Sequence, residues 1–380
     1  MAGRIAIATN FKTASASEGN FLCTIPWSFI TEGVELLNTR RTATLKWTKY
    51  PDSDKGDGWL LGSSSYAGET VQAYSSCYVT SPNINNWLRT PYIERGDAER
   101  LHIEMTFTMR KCVRHNDPSS LQQCKETFNL YYYEAESDFA NHQMPTWQPN
   151  VYSKIDTIAA DTLYVQPRKV QVNNETKHVT IKRKGVYFAF QDTGACITLL
   201  SVRIFYVTCP NVTVRYAFFM ETPTGPTVSS LVQKKGVCVG NAVEESNPTY
   251  LCRSDGSWDI LMGSCKCLPG YQGINGTKCV KCPVGTYKWH ASNELCLKCP
   301  KYSYANGEGA EECTCENRYY RHKDDDRSLP CTRKSLMKLH IEYSPALLVL
   351  PFPMCCLLLF ILPAFETSIL FCTFFKKILI

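Results

Sequence analysis

Long runs of like charge are missing from this sequence. Its 41 Lys and Arg and 35 Asp and Glu are interspersed, leaving a formal charge of +6. The densest basic run, Lys182 to Lys184 in "IKRKG", has the length of a solvated turn, so no nucleic-acid partner is expected. Histidine is scarce: the seven residues are isolated, with His102 on the polar side of a strand-like segment and His290 in a loop between cysteines. "DSDKGD" and "KDDDR" read as solvated loops rather than cation sites. Neither a metal, nor a cofactor, nor a Cys–His nucleophile pair is expected, and the chain is not read as an enzyme. A clean export signal is also wanting. The first twenty residues hold one arginine and a short apolar run, and "FLCTIPWSFITEG" has no convincing small-residue cleavage site, so 1–33 reads as a leader or an altered N-terminus.

Cysteine, by contrast, is abundant and unevenly placed. Of the 20 cysteines, twelve fall between Cys209 and Cys331, a density found in small exported modules whose cores need cross-links. "CVKCPVGTYKWHASNELCLKC", with Cys279, Cys282, Cys296 and Cys299 spaced C-x2-C-x13-C-x2-C, would by itself suit a four-cysteine zinc site. Its surroundings argue for disulfides. C-x-C pairs flank it at Cys265/Cys267 and Cys313/Cys315, and the cysteines from Cys77 to Cys331 number sixteen, an even count. Cys279 then closes one stapled module and Cys282 opens the next. "NETK" at Asn174, "NVTV" at Asn211 and "NGTK" at Asn275 are glycosylation acceptors, and they also point outside the cell.

The pattern from residue 34 to Cys209 is β. In "LHIEMTFTMRKC" the apolar Leu101, Ile103, Met105, Phe107 and Met109 alternate with polar neighbours, the period of a strand with one buried face. "TFNLYYYEAE", "VTIKRKGVYFAFQD" and "ACITLLSVRIFYVTC" are rich in aromatic and β-branched residues. Several such segments separated by turn-forming residues predict an all-β, antiparallel sandwich. On spacing alone, Cys112 with Cys124 would fasten a polar loop and Cys77 with Cys196 would join distant strands. "YLCRSDGSWDILMGSCKC" has the form of a sushi-like module, in which Cys209, Cys238, Cys252 and Cys265 make a four-cysteine unit with a tryptophan core. An EGF-like, cysteine-rich part comes next, in which Gly270 and Gly273 permit tight backbone around Tyr271; its other cysteine is Cys331. The division expected is 34–209, 210–265, 266–333 and a hydrophobic tail, 334–380. Within that tail, 345–365 carries no charge and is long enough to span a bilayer. Sequence belonging to no folded domain, such as an aberrant splice end, is nevertheless the reading placed first, with a bilayer span and a cleaved lipid-anchor signal as the alternatives.

"NNWLRTPYIER", "LHIEMTFTMRKC", "CKETFNLYYYEAESD", "KIDTIAAD", "GVYFAFQDTGACITLLSVRIFYVTCP" and "CTCENRYYR", in that order, resemble the extracellular part of an ephrin receptor tyrosine kinase. "NLYYYEA" and "MPTWQPNVYSKIDTIAAD" lean to the B subclass. The resemblance implies a jelly-roll ephrin-binding domain at 34–209, extracellular or at the plasma membrane. Its partners would be ephrin ligands, with ephrin-B favoured, and receptor clustering on contact would be expected. It further implies a ligand loop entering a channel lined by the disulfide that corresponds to Cys77–Cys196, and a ligand carboxylate paired with Arg110, whose planar fork suits that role. Tyr78, Thr80, Leu199 and Leu200 are candidates for the channel wall, the sandwich core being the alternative for them. The sequence departs from the family at "IAADTLYVQ" and at Lys111. No G-x-G-x-x-G loop, H-R-D loop or D-F-G triplet occurs, so the expected role is recognition, in a truncated or decoy form. A carbohydrate-binding extracellular sandwich is the rival reading.

Overall fold

The computed structural model describes residues 33–52, 57–79, 83–112, 124–165 and 170–334. The first domain contains twelve strands: β1 (Val34–Asn38), β2 (Thr48–Tyr50), β3 (Leu60–Tyr66), β4 (Glu69–Ser76), β5 (Asn86–Arg89), β6 (Ile93–Glu94), β7 (Arg100–Met109), β8 (Thr127–Ala135), β9 (Ser153–Ala159), β10 (Asn173–Thr180), β11 (Gly185–Asp192) and β12 (Ile197–Tyr206). They form two antiparallel sheets, β10-β7-β12-β4-β3 with β1 on β12, and β2-β5-β11-β8-β9 with β6 on β11. This is the all-β sandwich expected from the alternating pattern. The five alternating apolar residues of β7 are all fully buried in the core between the sheets.

β12 shows how the chain satisfies a pattern that does not alternate. Ile197 and Leu199 face the core, and so do Val202 and Ile204, although one pair is odd-numbered and the other even. The register shifts between Leu199 and Ser201 opposite β7. This bulge adds one residue, Leu200, and so brings both pairs inward.

From Cys209 onward the strands shorten and disulfides replace core. Cys209–Cys252 and Cys238–Cys265 cross-link the first module. Phe219, with no exposed surface, is its centre. Trp258 lies at the edge instead, stacked on Tyr250 at 4.9 Å, because its indole N–H reaches out to the Pro210 carbonyl at 2.8 Å. Next come short two-stranded ribbons, with the bonds Cys267–Cys279, Cys282–Cys296, Cys299–Cys313 and Cys315–Cys331 in sequential order. The four cysteines with zinc-like spacing therefore divide among three different disulfides. Gly270, at a φ of 75°, packs against the Gly309 carbonyl, and Gly273 lies against the Tyr216 ring. The apolar stretch 345–365 lies outside the described residues.

Candidate functional site

Three neighbouring strands end together. In the paired register, Ser76 of β4 lies opposite Ile197 of β12, which lies opposite Met109 of β7. The next residue out on β4 is Cys77, the one preceding β12 is Cys196 and the one following β7 is Arg110. Cys77 and Cys196, 119 residues apart in sequence, are bonded there. The Arg110 amide donates to the Cys196 carbonyl at 2.9 Å, and Tyr164 adds its backbone beside Met109 and Lys111. The Arg110 side chain is exposed, and no hydrogen bond or ion pair reaches its guanidinium among the described residues.

A buried carboxylate organises this end. Asp192 has no exposed surface and accepts from Ser76 Oγ at 2.8 Å, Asn86 Nδ2 at 3.2 Å, and the amides of Gly194 and Ala195 at 2.8 and 2.6 Å. Gly194 holds a φ of 121°, which a residue with Cβ rarely adopts. Asp192 thereby ties the neighbour of Cys77 to the neighbour of Cys196. Nearby, the Lys125 amide donates to the Gly194 carbonyl at 2.9 Å. The Cys112–Cys124 bond closes the adjoining loop, and the Cys112 amide donates to Glu126 Oε1 at 2.9 Å.

The other candidates separate. Tyr78 is 37% exposed beside the bridge, whereas Leu199 is 4% exposed within the core cluster. Leu200 is also buried, at the bulge and outside that cluster. Thr80 lies outside the described residues. Asn174, Asn211 and Asn275 are all exposed.

The outward face of the same sheet also carries a groove of about 260 Å³ whose lining includes Arg40, Tyr66, Glu104, Thr106, Asn174, Ser201 and Arg203. None of its β7 and β12 residues was singled out from sequence, although the polar half of the β7 alternation marks them. Its charges are paired: Arg203 with Glu35 at 2.8 Å and Glu104 at 3.4 Å, and Arg40 with Glu69 at 2.8 Å. His102 lies on this outward side, stacked on Phe205 at 5.1 Å. Burial, followed by the positive field of Arg100 and His178, lowers its pKa to about 4.

Comparison with known proteins decides what this arrangement belongs to. Residues 34–209 match the ephrin receptor ligand binding domain and 210–267 the ephrin cysteine rich domain. Residues 270–315 match the family described as tyrosine-protein kinase ephrin type A/B receptor-like. The chain belongs to the ephrin receptor family. Among receptors of this family, it is 41% identical over 319 residues to ephrin type-B receptor 2 of Gallus gallus, covering 82% of this chain and 31% of that receptor. It is 40% identical over 308 residues to ephrin type-B receptor 3 of Xenopus laevis, covering 79% and 31%. With ephrin type-A receptor 4-B of Xenopus laevis the identity is 43% over 268 residues, covering 69% and 26%. The chain thus spans about a third or less of the length of these receptors, and the matched residues are ligand-binding and cysteine-rich modules. Among solved structures, a carbohydrate binding module of Cellvibrio mixtus lichenase 5A covers 45% of this chain and 97% of its own at 12% identity and a TM-score of 0.26, too distant to transfer a ligand.

Proposed function

We propose that this chain binds ephrins through the end of the sandwich built around Cys77–Cys196, with Arg110 as the anchor for a ligand carboxylate. The observation that carries this reading is the Arg110 geometry. Its backbone is fixed to Cys196 at 2.9 Å, while its side chain is exposed at the rim of the bridge. A guanidinium uncompensated among the described residues is free to pair with a ligand, and a bidentate carboxylate contact adds direction as well as charge. Tyr78 supplies apolar surface next to it, and Leu200 lies at the bulge of β12, the strand that begins just after Cys196. The module boundaries support an extracellular location, with the disulfide ribbons holding the binding head at a distance from the residues beyond Cys331. Ephrin-B is the favoured subclass, on the strength of the type-B relatives and the "NLYYYEA" segment. Recognition, not phosphoryl transfer, is the activity assigned to these residues.

The test is Arg110→Glu in the full chain, measured by surface plasmon resonance against ephrin-A and ephrin-B ectodomains. Affinity for the cognate class should fall by about a hundredfold with the thermal midpoint unchanged, because Arg110 supports no packing. Unaltered affinity would remove Arg110 from the site.

A further inference from the structure

Asn174 stands where a covalent sugar would meet the ligand-facing sheet. β10 is an edge strand, and its alternation gives the two adjacent asparagines opposite fates. Asn173 is 5% exposed, its carboxamide engaged with the Thr162 backbone and hydroxyl. Asn174 is exposed and lies directly opposite Thr106 of β7. Thr106 Oγ1 donates to Asn174 Oδ1 at 2.9 Å, which draws the carboxamide onto the outward face and occupies its oxygen. The nitrogen, the atom that carries an N-linked sugar, has no partner among the described residues. Thr176 completes the Asn-Glu-Thr acceptor and is exposed too.

The groove beside Asn174 has the chemistry of a sugar cradle. Tyr66 contributes a half-buried ring with the Arg40 guanidinium over one face at 5.4 Å, and Glu104, Ser201 and Arg203 offer hydrogen-bonding atoms. Because its arginines are already neutralised by Glu35, Glu69 and Glu104, the groove suits a neutral ligand better than a charged one. We propose that Asn174 carries an N-linked glycan whose inner N-acetylglucosamine lies in this groove, and that the glycan limits access to the adjoining ligand face. The carboxamide nitrogen forms a bond to the anomeric carbon of a lipid-diphosphate-linked oligosaccharide. The carbon–oxygen bond to the diphosphate breaks, the lipid diphosphate departs with the electron pair, and the nitrogen gives up one proton. One N–H remains, and Oδ1 still accepts from Thr106. Arg110, the residue following β7, lies four residues along the chain from Thr106, the cross-strand partner of Asn174, about 13 Å from it, so a glycan here borders the proposed ephrin site. The effect on access rests on that functional reading; the glycan's seat in the groove does not.

The full chain, produced in glycosylating eukaryotic cells, should show an occupied Asn174 by peptide mass spectrometry, and hydroxyl-radical labelling of Tyr66 should be slower than in Thr176→Ala. Thr176→Ser, which keeps the acceptor, should restore the protection, and Asn174→Gln should match Thr176→Ala. Ephrin ectodomains should bind the glycan-free forms about threefold to tenfold more tightly. An unoccupied Asn174, or equal labelling of Tyr66 in all forms, overturns the assignment. Protection of Tyr66 with equal ephrin affinity in all forms overturns the effect on access. Protection with no ephrin bound by any form leaves the glycan in its groove and defeats the receptor reading instead.

Discussion

Asp192 contributes nothing to the molecular surface, yet four donors at the candidate site converge on it. Replacing it with Ala would leave Ser76 Oγ and the Gly194 and Ala195 amides buried without this acceptor, Asn86 keeping its bond to Ser76 Oγ at 3.3 Å, a cost of about 3–5 kcal/mol. Ser76→Ala removes one of these donors and the hydroxyl that accepts from Asn86 Nδ2 at 3.3 Å, while Asn86 keeps its bond to Asp192, so it should cost less, about 1–2 kcal/mol. Urea unfolding of Asp192→Ala and Ser76→Ala would check both, and equal losses would show that the carboxylate is not the organising group. His102 supplies a pH dependence. Half-buried, near Arg100 and opposite His178, it titrates at about 4 in the folded chain against 6.5 ordinarily. Between about 6.5 and 4 the unfolded chain therefore binds a proton that the folded chain does not, and this residue's contribution lowers stability as the pH falls through that window. In His102→Phe, which keeps a ring against Phe205, the loss of unfolding free energy from pH 7 to 4.5 should be smaller than in the unaltered chain. Parallel curves would mean that His102 does not titrate as described.

At the scale of elements, what the sequence revealed depended on whether the signal was local. The β7 alternation was legible because each residue's environment follows from its parity, and the "IKRKG" run forms a turn whose Lys182 and Arg183 amides donate to Glu134 Oε2 at 2.8 and 2.9 Å. The bulge in β12 was not legible. "ITLLSVRIFY" is apolar almost throughout, so nothing in it marks where the inward parity changes, and Leu199 and Leu200 were equivalent until the register separated them. Arg89 was hidden for a related reason. It is fully buried, with Nη1 donating to the Pro145 carbonyl at 3.3 Å and Tyr152 Oη at 3.1 Å, and Nη2 to the Asn141 carbonyl at 2.6 Å. It also packs over Trp147 at 4.4 Å. These partners lie more than fifty residues away, and two are backbone carbonyls, which have no identity in a sequence. The segment between β8 and β9 is thereby fastened over the second sheet.

For the whole molecule, the question is how a binding head transmits its position to a stalk with little core. β7 runs ten residues, about 33 Å, and its two ends have different tasks. Arg110 follows one end at the candidate site, while Arg100 begins the other and is 2% exposed. Arg100 Nη2 donates to the Ser254 carbonyl at 2.6 Å and to Thr224 Oγ1 at 3.4 Å, both in the cysteine-rich module. Thr180, paired directly with Arg100 across β10 and β7, donates from Oγ1 to the Pro226 carbonyl at 2.9 Å. This cross-strand pair thus joins the head to the next module in addition to the contacts near Cys209, where the Thr224 amide donates to the Val207 carbonyl at 3.0 Å and Thr208–Cys209 pairs with Thr222–Pro223. Three hydrogen bonds, one of them short and from a guanidinium, are enough to restrict a hinge but contribute little to the fold of either module. Arg100→Ala combined with Thr180→Ala should therefore broaden the distance distribution in small-angle scattering of the full chain. Monovalent ephrin affinity should stay unchanged, since the substituted pair is a strand length from Arg110. If the scattering profile is unaltered, the modules are held by other contacts and the pair is not the clamp; if affinity falls as well, the two ends of β7 are coupled more tightly than a rigid strand requires.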